Sequence, residues 1–445
     1  MAVHYARTLN DLIAALDDGA REITITAAIV CPHDIVLPEN VSVKGEGEGA
    51  SLLFSEGGLG LTRDNSVRSL RLLGTARSRV IYLRAGAEHF GTIRLEDLTV
   101  VGQIGLIVRV GCRSGHVAAR NVHVAFADAR AFPEQPQKYG VNVLQGAFTI
   151  YNQNGDAGSR VTATLEGISV GTATAPVFGS GIFVSGFGDE GGRLEIDRLT
   201  TGEVHSTGLL PFGTANFITG GVFVLYGCSV TELVNNSLCR TYGVNDMVLD
   251  NWGKVDRWTA HDVIESYGPS GIGFVNFGVV GEFRAEAPIR TYGLGARGFN
   301  QYDGTVQSLR LHSIETFGDG SIGIQISKPV GRICVDHDVR THGGTGPSLV
   351  KGVIATLAAE AFSVKPSGDV EQLQVGGDIV TEGDKVDAFT VEGGAVRKAQ
   401  ITGSIRASGA DSKRIRIENG GSAPDNLTSS EPPANRVAAQ QAEAK

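Results

Sequence analysis

Apolar positions in the second half of this chain recur at a fixed step of about 25 residues. Leu249, Phe274, Phe299 and Ile324 form one such column. Side chains alternate across a strand, so a column of this kind marks one buried face. The pairs Tyr242-Gly243, Tyr267-Gly268, Tyr292-Gly293, Phe317-Gly318 and His342-Gly343 keep the same step, and Ser367-Gly368 reads as its continuation. The residue before each aromatic is Thr241, Ser266, Thr291, Thr316 and Thr341. One further back, the charge alternates in sign through Arg240, Glu265, Arg290, Glu315 and Arg340. Equivalent residues of stacked parallel strands lie ~4.8 Å apart. An alternating column then sets each charge between two opposite ones, with Arg290 held by Glu265 and Glu315. The aromatics are expected to stack as a ladder, and the glycines after them to supply positive φ at a turn.

Upstream, Thr8 to Leu16 places apolar residues at helical spacing behind a capping threonine, which predicts one short helix. Strand-like pieces follow at Glu22 to Ile29 and Asn40 to Val43, and short β-rich segments punctuated by glycine run on to about Glu418. The step is long enough for three short strands and three turns. The expected fold is all-β: a single-stranded right-handed parallel β-helix of about 25 residues per coil with a short N-terminal capping helix. Residues 1–22 form the cap region, 23–421 the β-helix, and 422–445, rich in Ser, Pro, Ala and Gln, a disordered tail. The Leu-x-x-Leu-x-Leu signature of a leucine-rich repeat is missing, and a propeller blade needs ~40–45 residues.

Composition narrows the partners. The 445 residues include 61 glycines without a Gly-X-Y period, which excludes collagen. A net charge of −9 argues against nucleic acid or an anionic membrane as the main partner. Five dispersed cysteines with no Cys-x-x-Cys read as free thiols of a reducing compartment. Without a visible signal peptide or long apolar run, the expected location is cytoplasmic. No cofactor or metal is expected. Asp336-His337-Asp338, read as part of a strand, would turn its side chains to opposite faces, and no second cluster supports it, so no ligand set is expected there.

The order of parts resembles the pectate lyase superfamily. The likeness rests on a cap helix, an early Val41-Ser42-Val43-Lys44-Gly45-Glu46-Gly47 segment, and Gly-Ile/Val-x-Val pieces at Gly105, Gly140, Gly181 and Gly221. It spans about residues 8–418 and implies the fold. Members include lyases, hydrolases, epimerases and non-catalytic fibres, and no subfamily's catalytic motif is present, so no catalytic residue carries over. The resemblance implies a ligand groove beside the Gly-Ile-x-Val strand.

Departures from the regular step point to the same place. Insertions Ala125 to Lys138, Ala173 to Ser180 and Leu209 to Thr219 precede that strand, and Tyr151 to Ser159 and Phe187 to Gly192 follow it. Insertions on both sides would build two walls of a cleft. If Leu249, Phe274 and Phe299 point inward, Asp250, Asn300 and Gln325 face out beside Trp252, Phe277 and Tyr302, with Tyr226 in the same aromatic row. The opposite parity, favoured by Val108-Arg109-Val110, would expose Asn251, Asn276 and Gln301 and put the aromatics in the core. Acid–base chemistry needs two carboxyl groups. The candidates are Asp250, Asp303, Asp246, Asp189 and Glu190, with Trp252, Asn300, Tyr302, Tyr226, Arg297 and Lys328 as substrate-binding residues. The expected function is an intracellular carbohydrate-active enzyme, a glycosidase, lyase or sugar-rearranging enzyme, acting on an oligosaccharide. The alternative is a non-catalytic β-helical scaffold or binding protein. Either is compatible with a homo-oligomer.

Overall fold

The computed structural model describes residues 4–428 apart from 85, 87 and 351. It is nearly all parallel β-strand, stacked in two long sheets, an arrangement consistent with a parallel β-helix. One sheet carries 14 strands in chain order along its path, from Ile35–Val36 through Asp246–Asn251, Ile272–Asn276, Arg297–Gln301 and Ile322–Ile326 to Ile415–Glu418. A 26-stranded sheet forms the remaining walls. Among the described residues, no helix is long and apolar enough to cross a membrane.

The helix spans Leu9–Asp17. Thr8 accepts from the Asp11 amide while the Asp11 carboxylate accepts from the Thr8 amide, a reciprocal cap that satisfies the first-turn donors. Leu12 and Ala15 bury into the first strands. At the other end Ser422 bridges Ala395, and Asp425–Thr428 forms a helical turn that buries Leu427. Regular structure thus reaches Thr428, past residue 422, where the tail was expected to begin. The tail from 429 on lies outside the described residues.

The columns read from sequence are strand pairs. Arg240 pairs with Glu265, Glu265 with Arg290, Arg290 with Glu315 and Glu315 with Arg340. The ion pairs are not evenly shared, however. Glu265 is taken by Arg240, while Arg290 meets Glu315 at 3.7 Å and, among the described residues, makes no ion pair with Glu265. The aromatic ladder runs unbroken from His205 through Tyr242, Tyr267, Tyr292 and Phe317 to His342. From Tyr242 on, successive ring planes are nearly parallel, with angles between 8° and 19°.

The glycine column works differently from expectation. Gly243, Gly268, Gly293, Gly318 and Gly343 are not in the positive-φ region; that conformation falls two residues later, at Asn245, Ser270, Gly295 and Gly320. A methyl group on Gly268 would instead overlap the Gly243 carbonyl oxygen, and the same clash repeats at Gly293, Gly318 and Gly343. These glycines let successive turns approach closely.

The step also breaks earlier than expected. Thr341 pairs with Thr381, and the intervening stretch contains an antiparallel hairpin, Thr345–Val350 with Val353–Ala358. Gly383, not Gly368, sits against Gly343.

Candidate functional site

Parity on the 14-strand sheet is settled by its two apolar clusters. Leu249, Phe274, Phe299 and Ile324 belong to the main core with Val222 and Val224. Asn251, Asn276 and Gln301 are buried as well: Asn251 donates to Asn276 at 2.8 Å, and Asn276 to Gln301 at 3.0 Å, a ladder that closes the turn. The opposite column therefore faces out. It runs Phe183, Phe223, Asp250, Val275, Asn300, Gln325 and Ser363.

That outer face is roofed rather than open. Val141–Val143, expected to be a groove strand, pairs instead with the first residues of Phe217–Val224, while Gly146–Asn152 takes the groove position. The insertions around 125–138 and 209–219 are thereby joined. Lys138 reaches across to Asp189 of the opposite wall at 3.0 Å. Glu134 anchors the first insertion through ion pairs to Arg79 and Arg109, and accepts a bond from Gln145. From the C-terminal side the hairpin reaches back: Ser348 donates to the Gly295 carbonyl at 2.6 Å and the Leu349 amide to Ser270 Oγ at 3.0 Å. Under this roof lies a second apolar cluster, including Phe183, Phe223, Tyr226, Trp252, Val275 and Tyr302.

A narrow pocket remains between roof and sheet, with a cavity volume of about 50 Å³, partly open to solvent. Its walls include Tyr139, Trp252, Phe277 and Tyr302; Ile218, Val275 and Leu349 add aliphatic surface. Tyr139 stacks on Phe277 at 4.5 Å and meets Trp252 edge-on at 5.2 Å. Trp252 is 4% exposed, so it is not the open platform expected, and it packs outside the main core. Asp250 also lines the pocket. It is 0% exposed, and among the described residues neither of its oxygens has a hydrogen-bond partner. The Trp252 indole N–H lies near enough to favour the carboxylate but outside hydrogen-bond geometry. Burial dominates and drives the Asp250 carboxyl well above the usual range.

The pocket thus brings together Asp250, Trp252 and Tyr302 from the expected set. Asp246 is buried elsewhere. Its oxygens accept from Thr219 Oγ1 at 2.6 Å and from the Gly208 and Gly243 amides, which ties turns together. Burial pushes it up to about 6 against these bonds. Asp189 and Glu190 are exposed on the wall loop, and Asp303 is half-exposed beside Lys328 at 3.8 Å. Tyr226 is buried under Lys138. A second, more open groove adjoins Tyr302 and holds Gln325, Ser327, Lys328 and Lys365. Arg297 and Asn300 are buried on the strand between the two cavities. Among the described residues no group of three His, Cys, Asp or Glu side chains is placed to hold a metal ion.

Sequence reasoning missed Tyr139 and the hairpin residues. Tyr139 immediately follows the recognised insertion, but Gly140 to Val143 resembled one more groove strand. Compared with protein-family models, curated proteins and solved structures, the chain matches none of them.

Proposed function

We propose that the roofed pocket binds a small ligand with a ring-shaped or apolar body, and that Asp250 is the acid that acts on it. The observation that carries this reading is the unpartnered Asp250 carboxyl. Burying such a group without a hydrogen bond costs about 1–3 kcal/mol, a cost that structure alone gives no return for. Desolvation favours the protonated form, the state in which a carboxyl can donate a hydrogen bond or act as a general acid. Trp252, Tyr139, Ile218 and Val275 line the pocket with apolar surface that suits such a body.

On this reading the chain is a right-handed β-helix of about 25 residues per coil, carrying a carbohydrate-active site, with Asp303, whose charge acts on the Tyr139 phenol, as the second carboxylate. The five free thiols suit the cytoplasm. A second reading has a specific support: the groove lined by Tyr302, Gln325, Lys328 and Lys365 is wider and more polar, and suits a glycan held without chemistry.

Two tryptophans make the test direct, since Trp258 lies in the main core and Trp252 in the pocket. Fluorescence of the wild type and Trp252→Phe is compared during titration with 4-nitrophenyl glycosides, and release of nitrophenol is followed. The expected result is a signal lost in Trp252→Phe and turnover lost in Asp250→Asn. Turnover that survives Asp250→Asn would remove Asp250 as the acid. A signal unchanged by Trp252→Phe would remove the pocket.

A further inference from the structure

Two buried polar side chains beside the roofed pocket point to the charge of its ligand, an inference that rests on reading the pocket as a ligand site. On the strand Arg297–Gln301 two outward side chains are buried without full partners. Arg297 is 1% exposed, and its Nε donates to Gln325 at 3.1 Å. Among the described residues neither of its Nη atoms has an acceptor. Asn300 is fully buried, and neither its amide oxygen nor its nitrogen is bonded.

Strand register puts both residues between the two cavities. Arg297 pairs with Ile272 and Asn300 with Val275, and both partners line the pocket. On the other side Asn300 pairs with Gln325, which lines the groove, and Tyr302 belongs to both cavities. Burial works against the Arg297 charge, and the Tyr302 phenol is the neighbour that favours it. A guanidinium nonetheless stays protonated in a protein, so the site holds a permanent cation. Asp250 does not neutralise it, since Asp250 stands two strands away. The unmet atoms include four nitrogen donors, the two Arg297 Nη atoms, the Asn300 amide nitrogen and the Trp252 indole, beside three oxygens, two of Asp250 and one of Asn300.

We propose that the pocket takes a small organic anion, with its ring against Tyr139, Trp252 and Val275 and its carboxylate received by Arg297 and Asn300. The planar guanidinium fork matches the two oxygens of a carboxylate. Asn300 adds an N–H donor beside it. Asp250 meets the far end of the same body, about 10 Å away at ~4.8 Å per strand.

Benzoate and its neutral isostere benzamide are the probes, measured by isothermal titration calorimetry on the intact chain. Wild type is expected to bind benzoate at least tenfold more tightly than benzamide. Arg297→Met should erase that preference while benzamide binding stays, and Arg297→Lys should restore part of it. Should Arg297→Met fail to fold, Asn300→Leu carries the same test through a reduced preference. Equal affinities of wild type for the two probes overturn the anion assignment and leave the pocket standing. Binding of neither overturns both. Inorganic phosphate bound as tightly as benzoate would overturn the apolar body.

Discussion

Two buried carboxyl groups of one region are driven in opposite directions. At Asp250 burial outweighs the nearby Trp252 indole and Asn251 backbone N–H, which favour the charge, so its carboxyl rises. Burial raises Glu134 as well, but the bonds from Arg79 and Arg109 outweigh it and bring Glu134 down to about 2. The consequences for stability differ in sign. A depressed acid stabilises the fold above its unfolded value of 4.5, and that contribution is lost as pH falls toward 2. At 1.36 kcal/mol per unit the Glu134 contribution is on the order of 3 kcal/mol. A raised acid such as Asp250 does the reverse: its contribution is present at low pH and lost as pH rises through its folded value. Denaturant titrations should therefore show Glu134→Gln well below wild type at pH 7, with the gap narrowing steadily toward pH 2. A Glu134→Gln variant as stable as wild type at pH 7 would mean that the insertion is anchored by other contacts.

At the scale of elements, the turns explain what could be read from sequence and what could not. Columns that repeat from one strand to the next were legible because stacked strands force equivalent residues into contact, so chemistry repeats where contact repeats. The role of a repeated glycine was not legible, since positive φ and close approach call for the same residue. The two causes make different predictions. At Gly268 a methyl group overlaps the Gly243 carbonyl, whereas at Gly49 nothing lies within 4 Å and φ is not positive. Thermal melts should then show Gly268→Ala destabilised by about 1–3 kcal/mol, as for other overpacked sites, and Gly49→Ala close to wild type. Equal melting temperatures for the two would mean that the turns slide apart at little cost. The hairpin Thr345–Val350 with Val353–Ala358 escaped for a numerical reason. It lengthens the step from Thr341 to its partner Thr381 while leaving Ser-Gly at 367 and 368, in false register with His342-Gly343. Parity had to wait for packing, because Val275 in the outer column is as apolar as the inward Phe274.

The whole molecule divides into a floor and a roof of different construction. The floor is a ladder in which each strand pairs with the next, and its inner face belongs to one continuous core. The roof is assembled from three segments far apart in sequence, around 125–145, 209–219 and 345–358. The first two pair at Asn142–Val143 with Phe217–Ile218, Lys138 reaches Asp189 of the opposite wall, and Tyr139 and Ser348 hold the roof to the floor at Phe277 and Gly295. This is why a cleft was expected and a covered pocket is found: insertions announce their length in sequence but not the partner they close upon. Large apolar side chains remain exposed on the roof, among them Leu209, Phe212, Val353 and Ile354, whereas the outer column beneath it is buried. Local opening follows bond and packing density, so the roof should open without the floor. In native-state hydrogen exchange, the amides of Asp246–Asn251, Ile272–Asn276 and Arg297–Gln301 are expected to exchange only with global unfolding. The amides of the hairpin and of Val141–Val143 should exchange at least tenfold faster, and with shallow denaturant dependence. Such a difference would give a ligand its route to Asp250 through motion of the roof alone. Roof amides protected as strongly as the floor would mean that the cover is permanent, and ligands would then be confined to the open groove beside Tyr302 and Lys328.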